Sequence, residues 1–299
     1  MTDAFDPELR RIARILPKSV SGPRAIMFDR FSGKVRKKLA SKKVPVINVG
    51  EMSVRLHRPA SSASQVPALL WIHGGGYVGG VAAQDDKMCA YFAEQLGVVV
   101  ASVDYRVAPE HRFPVGLHDC YDGLTWLVQQ SFVDSDRVAI GGYSAGGGLA
   151  AALALYARDR AEIPLRFQVL SYPMLDDRTA TRTDIDQTNF RAWDNKANYF
   201  GWESYAGHPP GSDEVSELAA PSRSVDLSGL PPAWIGVGTL DLFHDEDVAY
   251  ADRLLSAGVP CQLHVAKGAF HGFDIVRRKA QVSQTYRSSY MKALSGGLS

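Results

Sequence analysis

The sequence predicts an α/β protein with a mostly parallel sheet flanked by helices. Three observations carry that expectation. Apolar runs of strand length recur at 68–72, 98–103, 138–140, 167–171, 233–237 and 262–265. Segments of helical character separate them near 88–96, 121–129, 149–158 and 247–255. A glycine-flanked serine, Gly142-Tyr143-Ser144-Ala145-Gly146, stands where an apolar run gives way to a small-residue helical stretch. Alternation of strands and helices calls for right-handed crossovers and parallel pairing.

Before the first core strand, Asp6-Pro7 has the form of a helix N-cap followed by proline at the first helical position. Leu9, Ile12, Ala13 and Leu16 share one helical face, and Pro17 ends it. Phe28, Phe31, Val35 and Leu39 suggest a second amphipathic helix, and the basic stretch 34–43 reads as a solvated face. Residues 44–56 read as extended structure and 61–65 as a loop. After the last strand, 276–294 has the length of a closing helix. The alternation breaks at 177–224, which holds Phe190, Trp193, Tyr199, Phe200, Trp202 and Tyr205. That density of rings reads first as an insertion with its own small core; a sharper alternative, compatible with the first, is that some of the rings also roof a binding cleft at the carboxyl side of the sheet.

A serine hydroxyl needs a base within hydrogen-bond reach, and the base needs an orienting acid. A strand–turn–helix corner lifts the hydroxyl of Ser144 above the sheet edge. In this arrangement the partners follow in the order serine, acid, histidine, each on a loop after a later strand. Asp241 follows the 233–237 run, and His271 lies in Gly268-Ala269-Phe270-His271-Gly272-Phe273. The competing acids Asp245 and Asp247 read, with Glu246, as the first turn of the next helix, where negative charge suits the helix dipole. The competing bases are His244, on the acid's own loop, and His264, inside a strand. His73-Gly74-Gly75-Gly76 ends the 68–72 strand, and its glycines let main-chain N–H groups converge on one point. With the N–H of Ala145 they would form an oxyanion hole. His73 itself reads as a structural hydrogen-bonding residue. A phosphate cradle is not supported: no Gly-Lys-Ser/Thr follows either glycine run and no dinucleotide fingerprint is present.

These motifs together resemble the hormone-sensitive-lipase-like, or bacterial family IV, esterases of the α/β-hydrolase superfamily. The resemblance covers about 68–273. It rests on His73-Gly74-Gly75-Gly76-Tyr77, Tyr105-Arg106-Val107-Ala108-Pro109-Glu110-His111, the 142–147 turn, Tyr172-Pro173 with Asp176, and the Asp241 and His271 loops. It implies Ser144 as nucleophile, His271 as base and Asp241 as orienting acid, with Gly75, Gly76 and Ala145 as oxyanion donors and His73 and Gly74 as motif support. It also implies one α/β-hydrolase domain over 1–299, with a helical cap from about 1–43 and 177–224 and a catalytic core from about 44–176 and 225–299. Two departures stand out. Tyr143 occupies the position before the nucleophile where the family usually has aspartate. The acid loop reads Asp241-Leu242-Phe243-His244-Asp245 without the usual proline.

Composition narrows the reading. With 33 basic and 32 acidic residues among 299, nothing favours nucleic acid as a partner. The apolar runs are too short for stable membrane insertion. The start of the chain carries acidic residues and no apolar signal core, which points to a cytoplasmic enzyme. Cys89, Cys120 and Cys261 are widely spaced, forming neither a metal pattern nor a disulfide framework, and read as buried free thiols. The expected function is hydrolysis of short- to medium-chain acyl esters through an acyl-enzyme, with no metal or organic cofactor and a small-molecule ester as partner. A homodimer is left open. The alternatives are an amidase or arylformamidase on the same scaffold, and a non-catalytic small-ligand receptor.

Overall fold

The computed structural model describes residues 4–17, 32–33, 35, 37–40, 43–60 and 65–299. Phe28, Phe31 and most of the 61–65 loop lie outside them. The frame is an eight-stranded sheet in the order β1-β2-β4-β3-β5-β6-β7-β8. Its strands are β1 (Val46–Val49), β2 (Met52–His57), β3 (Val66–Ile72), β4 (Val99–Asp104), β5 (Val133–Tyr143), β6 (Phe167–Ser171), β7 (Ala233–Leu240) and β8 (Cys261–Phe270). From β4 through β8 every pairing is parallel. β1 and β2 form an antiparallel hairpin that joins β4 antiparallel. The 44–56 stretch is therefore two strands, turned at Gly50, whose φ of 59° lies in the left-handed region that glycine enters freely.

The central strands are buried on both faces, which is why they read as continuous apolar runs. Their side chains alternate between two cores. Ala68, Leu70 and Ile72 join one cluster with Leu124, Leu149 and Leu153, whereas Leu69 and Trp71 join the other with Phe92, Tyr286 and Tyr290. The helices cover both faces: α1 (Asp86–Leu96), α2 (Val115–Val128), α3 (Ala145–Arg160), α4 (His244–Ser256) and α5 (Gln281–Gly297). The expected 276–294 helix is broken. A short turn, Phe273–Val276, precedes α5, and exposed Arg277, Arg278 and Lys279 separate the two.

The N-terminal segment behaves as its apolar face predicts. Phe5, Leu9 and Ala13 are buried in the second cluster beside Phe270 and Phe273. Asp6 caps the turn, accepting the Glu8 N–H on its side chain at 2.9 Å. Of the second amphipathic face, Leu39 is 78% exposed and Val35 39%, so neither anchors a core. The 177–224 segment contains a further helix, Asn195–Ala206. Its rings do not form a separate core: Phe190, Trp202 and Tyr205 belong to the main cluster. Tyr77 couples the two, stacking on Tyr205 at 4.0 Å and donating its hydroxyl to the Met174 carbonyl at 2.8 Å. Cys89 and Cys120 are buried free thiols, as expected, while Cys261 is only half-buried on the edge strand.

Candidate active site

Strand register brings the predicted residues to one edge. β3 pairs with β5 so that Ile72 faces Gly142, which sets His73 beside Tyr143. β7 pairs with β8 so that Leu240 faces Phe270, which sets Asp241 opposite His271. The serine turn itself is forced. Ser144 has φ 56° and ψ −128°, a strained geometry for a residue with a side chain. The flanking glycines answer a steric demand: a Cβ on Gly142 would lie 2.4 Å from the Gly146 carbonyl oxygen, and one on Gly146 would lie 2.2 Å from that of Ile72.

The structure brings Ser144, His271 and Asp241 into one hydrogen-bonded line. His271 Nε2 lies 3.0 Å from Ser144 Oγ, and His271 Nδ1 lies 2.9 Å from Asp241 Oδ2. An ionised Asp241 accepts only, so Nδ1 carries the proton and Nε2 is left to accept from the serine. All three are buried, and the imidazole packs edge-on against Tyr172 and Phe243 at 4.8 and 5.3 Å. The missing proline of the acid loop is offset locally: Asp241 Oδ1 accepts the Phe243 N–H at 3.1 Å, and the Asp241 carbonyl accepts that of His244 at 3.2 Å.

Among the described residues, the hydrogen bonds of His271 go to Ser144 and Asp241 and not to the competing residues. Asp245 is exposed and paired with Arg182 at 2.9 Å and His244 at 3.0 Å. Asp247 lies in the first turn of α4 with Asp245 and Glu246, the placement the sequence predicts, but its burial opposes the charge that the helix-dipole argument invokes. It is fully buried without a hydrogen-bond partner for either oxygen among the described residues, and burial next to Glu246 and Asp241 raises its pKa well above the ordinary carboxyl value. His264 lies on β8 beside Trp234 and Tyr286. Arg106, in the segment after β4, is held by Asp119 at 2.8 Å and by Glu51.

The glycine loop after β3 lies against the serine turn. A Cβ on Gly74 would meet the Tyr143 ring at 2.7 Å. Gly75 and Gly76 have φ 140° and 59°, and among the described residues neither gives its N–H to another backbone carbonyl outside regular elements. His73 is fully buried, stacks on Tyr105 at 4.3 Å, and its Nδ1 lies 2.9 Å from the Gly74 carbonyl, consistent with a structural role.

A cavity of about 480 Å³ opens over Ser144 and His271. Gly75 and Gly76 line it, as do Trp193 from the insertion and Met88, Ile275 and Val276. Its third wall was not legible in the sequence: Gln84, Asp85 and Tyr143. The Tyr143 hydroxyl donates to Asp85 Oδ1 at 2.9 Å, Trp71 Nε1 donates to Asp85 Oδ2 at 3.1 Å, and Gln84 Nε2 donates to the Tyr143 hydroxyl at 2.7 Å. Burial lifts the Asp85 carboxyl to about 7 against the pull of these hydrogen bonds. The one signal for this network in the sequence is Tyr143 itself, the departure beside Ser144.

A mostly parallel sheet with a strained serine corner at one strand end, and an acid and a histidine on the loops after two later strands, defines the α/β-hydrolase fold. Comparison with known proteins makes this specific: the α/β-hydrolase fold family matches residues 69–275, and the chain belongs to that family, in its hormone-sensitive-lipase-like branch. Among similar proteins, the esterase LipI of Mycobacterium tuberculosis is 34% identical over 234 residues, which span 75% of this chain and 71% of LipI. An ethyl acetate hydrolase of Pseudomonas putida is 36% identical over 230 residues, 74% of this chain and 71% of that enzyme. A solved bacterial heroin esterase superposes with a TM-score of 0.89 at 37% identity, covering 100% of this chain and 99% of that one. Among the described residues no helix is long and apolar enough to cross a membrane.

Proposed function

We propose that this protein is a serine carboxylester hydrolase acting on short- to medium-chain acyl esters through an acyl-enzyme. The observation that carries the reading is His271 bridging Ser144 at 3.0 Å and Asp241 at 2.9 Å. His271 Nε2 takes the Ser144 proton as Oγ bonds to the ester carbonyl carbon. Asp241 holds the tautomer that makes this transfer possible and stabilises the imidazolium. The carbonyl oxygen becomes an oxyanion facing the N–H groups of Gly75, Gly76 and Ala145, donors of a kind worth about 10²–10³ in rate each. The C–O bond then breaks, and the alcohol leaves with the proton from His271. Water repeats the sequence on the acyl-enzyme and returns Ser144.

The acyl-size preference is supported by the cavity. Trp193 sits so close to the glycine loop that a Cβ on Gly76 would lie 2.2 Å from its ring. In this reading 177–224 is the cap, braced on the N-terminal segment where Ala192 N–H donates to the Pro17 carbonyl at 3.1 Å. The esterase names of LipI, the ethyl acetate hydrolase and the heroin esterase favour ester over amide substrates. The test is a nitrophenyl ester series of increasing acyl length with matched amides. Turnover of the short esters, abolished by Ser144→Ala in a folded protein, supports the proposal. Ester turnover that survives Ser144→Ala overturns it.

A further inference from the structure

An oxyanion hole works only if its N–H groups are already aimed. In a trans peptide the N–H points opposite to the carbonyl of the same unit, so fixing the carbonyl aims the N–H. All three donor units have their carbonyls tied down. The Gly75 carbonyl, sharing a unit with the Gly76 N–H, accepts from Val78 at 3.1 Å and Gly79 at 3.0 Å. The Ser144 carbonyl, sharing a unit with the Ala145 N–H, accepts from Gly148 and Met174, both at 3.0 Å. Those anchors are main chain. The Gly74 carbonyl, sharing a unit with the Gly75 N–H, is instead held by side chains: His73 Nδ1 at 2.9 Å and Gln84 Nε2 at 3.3 Å.

We propose that Gln84 is a positioning residue for the oxyanion hole, with Tyr143 and Asp85 holding it in place. This rests on the hydrolase reading and adds to it a side chain on the cavity wall that acts through the Gly74 carbonyl. The Gln84 amide has one workable orientation. Its Oε1 accepts the Val81 N–H at 3.3 Å, so its Nε2 protons face the Gly74 carbonyl and the Tyr143 hydroxyl. Tyr143 in turn spends its own proton on Asp85 Oδ1, which leaves an oxygen lone pair for Gln84. Trp71 Nε1 satisfies the other Asp85 oxygen and ties the relay to β3. Tyr143 is the residue before the nucleophile, so one relay joins the serine turn to the glycine loop.

The test is Gln84→Leu, which keeps bulk and removes both donors, assayed on a short nitrophenyl ester and with a trifluoromethyl ketone that forms a tetrahedral adduct on the serine. A donor left loosely aimed predicts a kcat about 10–100-fold lower with KM nearly unchanged, and ketone affinity lower by a similar factor. Tyr143→Phe removes only the hydroxyl and should lower kcat several-fold in the wild-type background but have little further effect in Gln84→Leu. If Gln84→Leu does not fold, Tyr143→Phe carries the same kcat and ketone test alone. A kcat within twofold of wild type in either variant, or a loss confined to KM, overturns the proposal. Wild-type turnover that Ser144→Ala abolishes keeps the hydrolase reading intact in that event.

Discussion

Replacing Asp85 with asparagine should change how stability depends on pH, by an amount the structure sets. Asp85 is 5% exposed and accepts from Tyr143 and Trp71. Burial is the main influence on its carboxyl, nearby Asp86 adds to it, and Tyr143, Trp71 and Arg278 oppose it, leaving a value of about 7 against an ordinary 3.8. The folded state therefore keeps a proton that the unfolded chain releases near pH 4. The stability tied to that proton is complete below the unfolded value, falls as pH rises toward 7, and levels off above it. Some three pH units at about 1.4 kcal/mol each give a change of about 4 kcal/mol. The amide of the Asp85→Asn variant cannot ionise, so its curve lacks this component. Glu246 and Asp247, whose buried carboxyls are also raised, are present in both proteins and cancel in the difference. The assay is urea unfolding of both proteins at intervals from pH 4 to 8, comparing midpoints at constant m. Wild type should lose ground on Asp85→Asn steadily up to about pH 7. A flat difference, or one in which wild type gains with pH, refutes the account of the Asp85 site.

Further outcomes follow from the same geometry. Asp241→Asn should lower kcat by about 10⁴, because an amide disturbs the His271 tautomer, whereas Asp245→Asn, at an exposed pair with Arg182 and His244, should leave it within a few-fold. Gly146→Ala should cost at least about 2 kcal/mol in thermal or urea unfolding, since its Cβ would lie 2.2 Å from the Ile72 carbonyl oxygen. Trp193→Ala should open the cavity beside Gly76 and raise the ratio of long- to short-acyl kcat/KM by about 10-fold or more in an ester series.

The parallel strands were legible because burial on both faces writes them as unbroken apolar runs, and the order Ser144, Asp241, His271 was legible because each follows such a run. What escaped has physical reasons. The 44–56 stretch hid a hairpin whose single mark was Gly50. β8 runs to Phe270, past the expected 262–265, because its register with β7 shifts between Gly238 and Leu240. The closing helix looked continuous because its break falls on Arg277, Arg278 and Lys279, all compatible with a helix in isolation. The rings of 177–224 announced a core but not whose core it was, since Tyr77, far away in the chain, supplies the stacking partner. The Gln84–Tyr143–Asp85 relay is a contact between the end of β5 and the helical turn before α1, some 58 residues apart, which no local pattern encodes.

The central claim is that one deprotonated hydroxyl, Ser144, attacks the ester. Treating the protein with a slight excess of a fluorophosphonate, then locating the adduct by peptide mass spectrometry while following ester turnover, tests it most directly. The account predicts a single phosphonyl group on Ser144 and activity lost in proportion to its occupancy. An adduct on another residue, or full activity with Ser144 blocked, would contradict it.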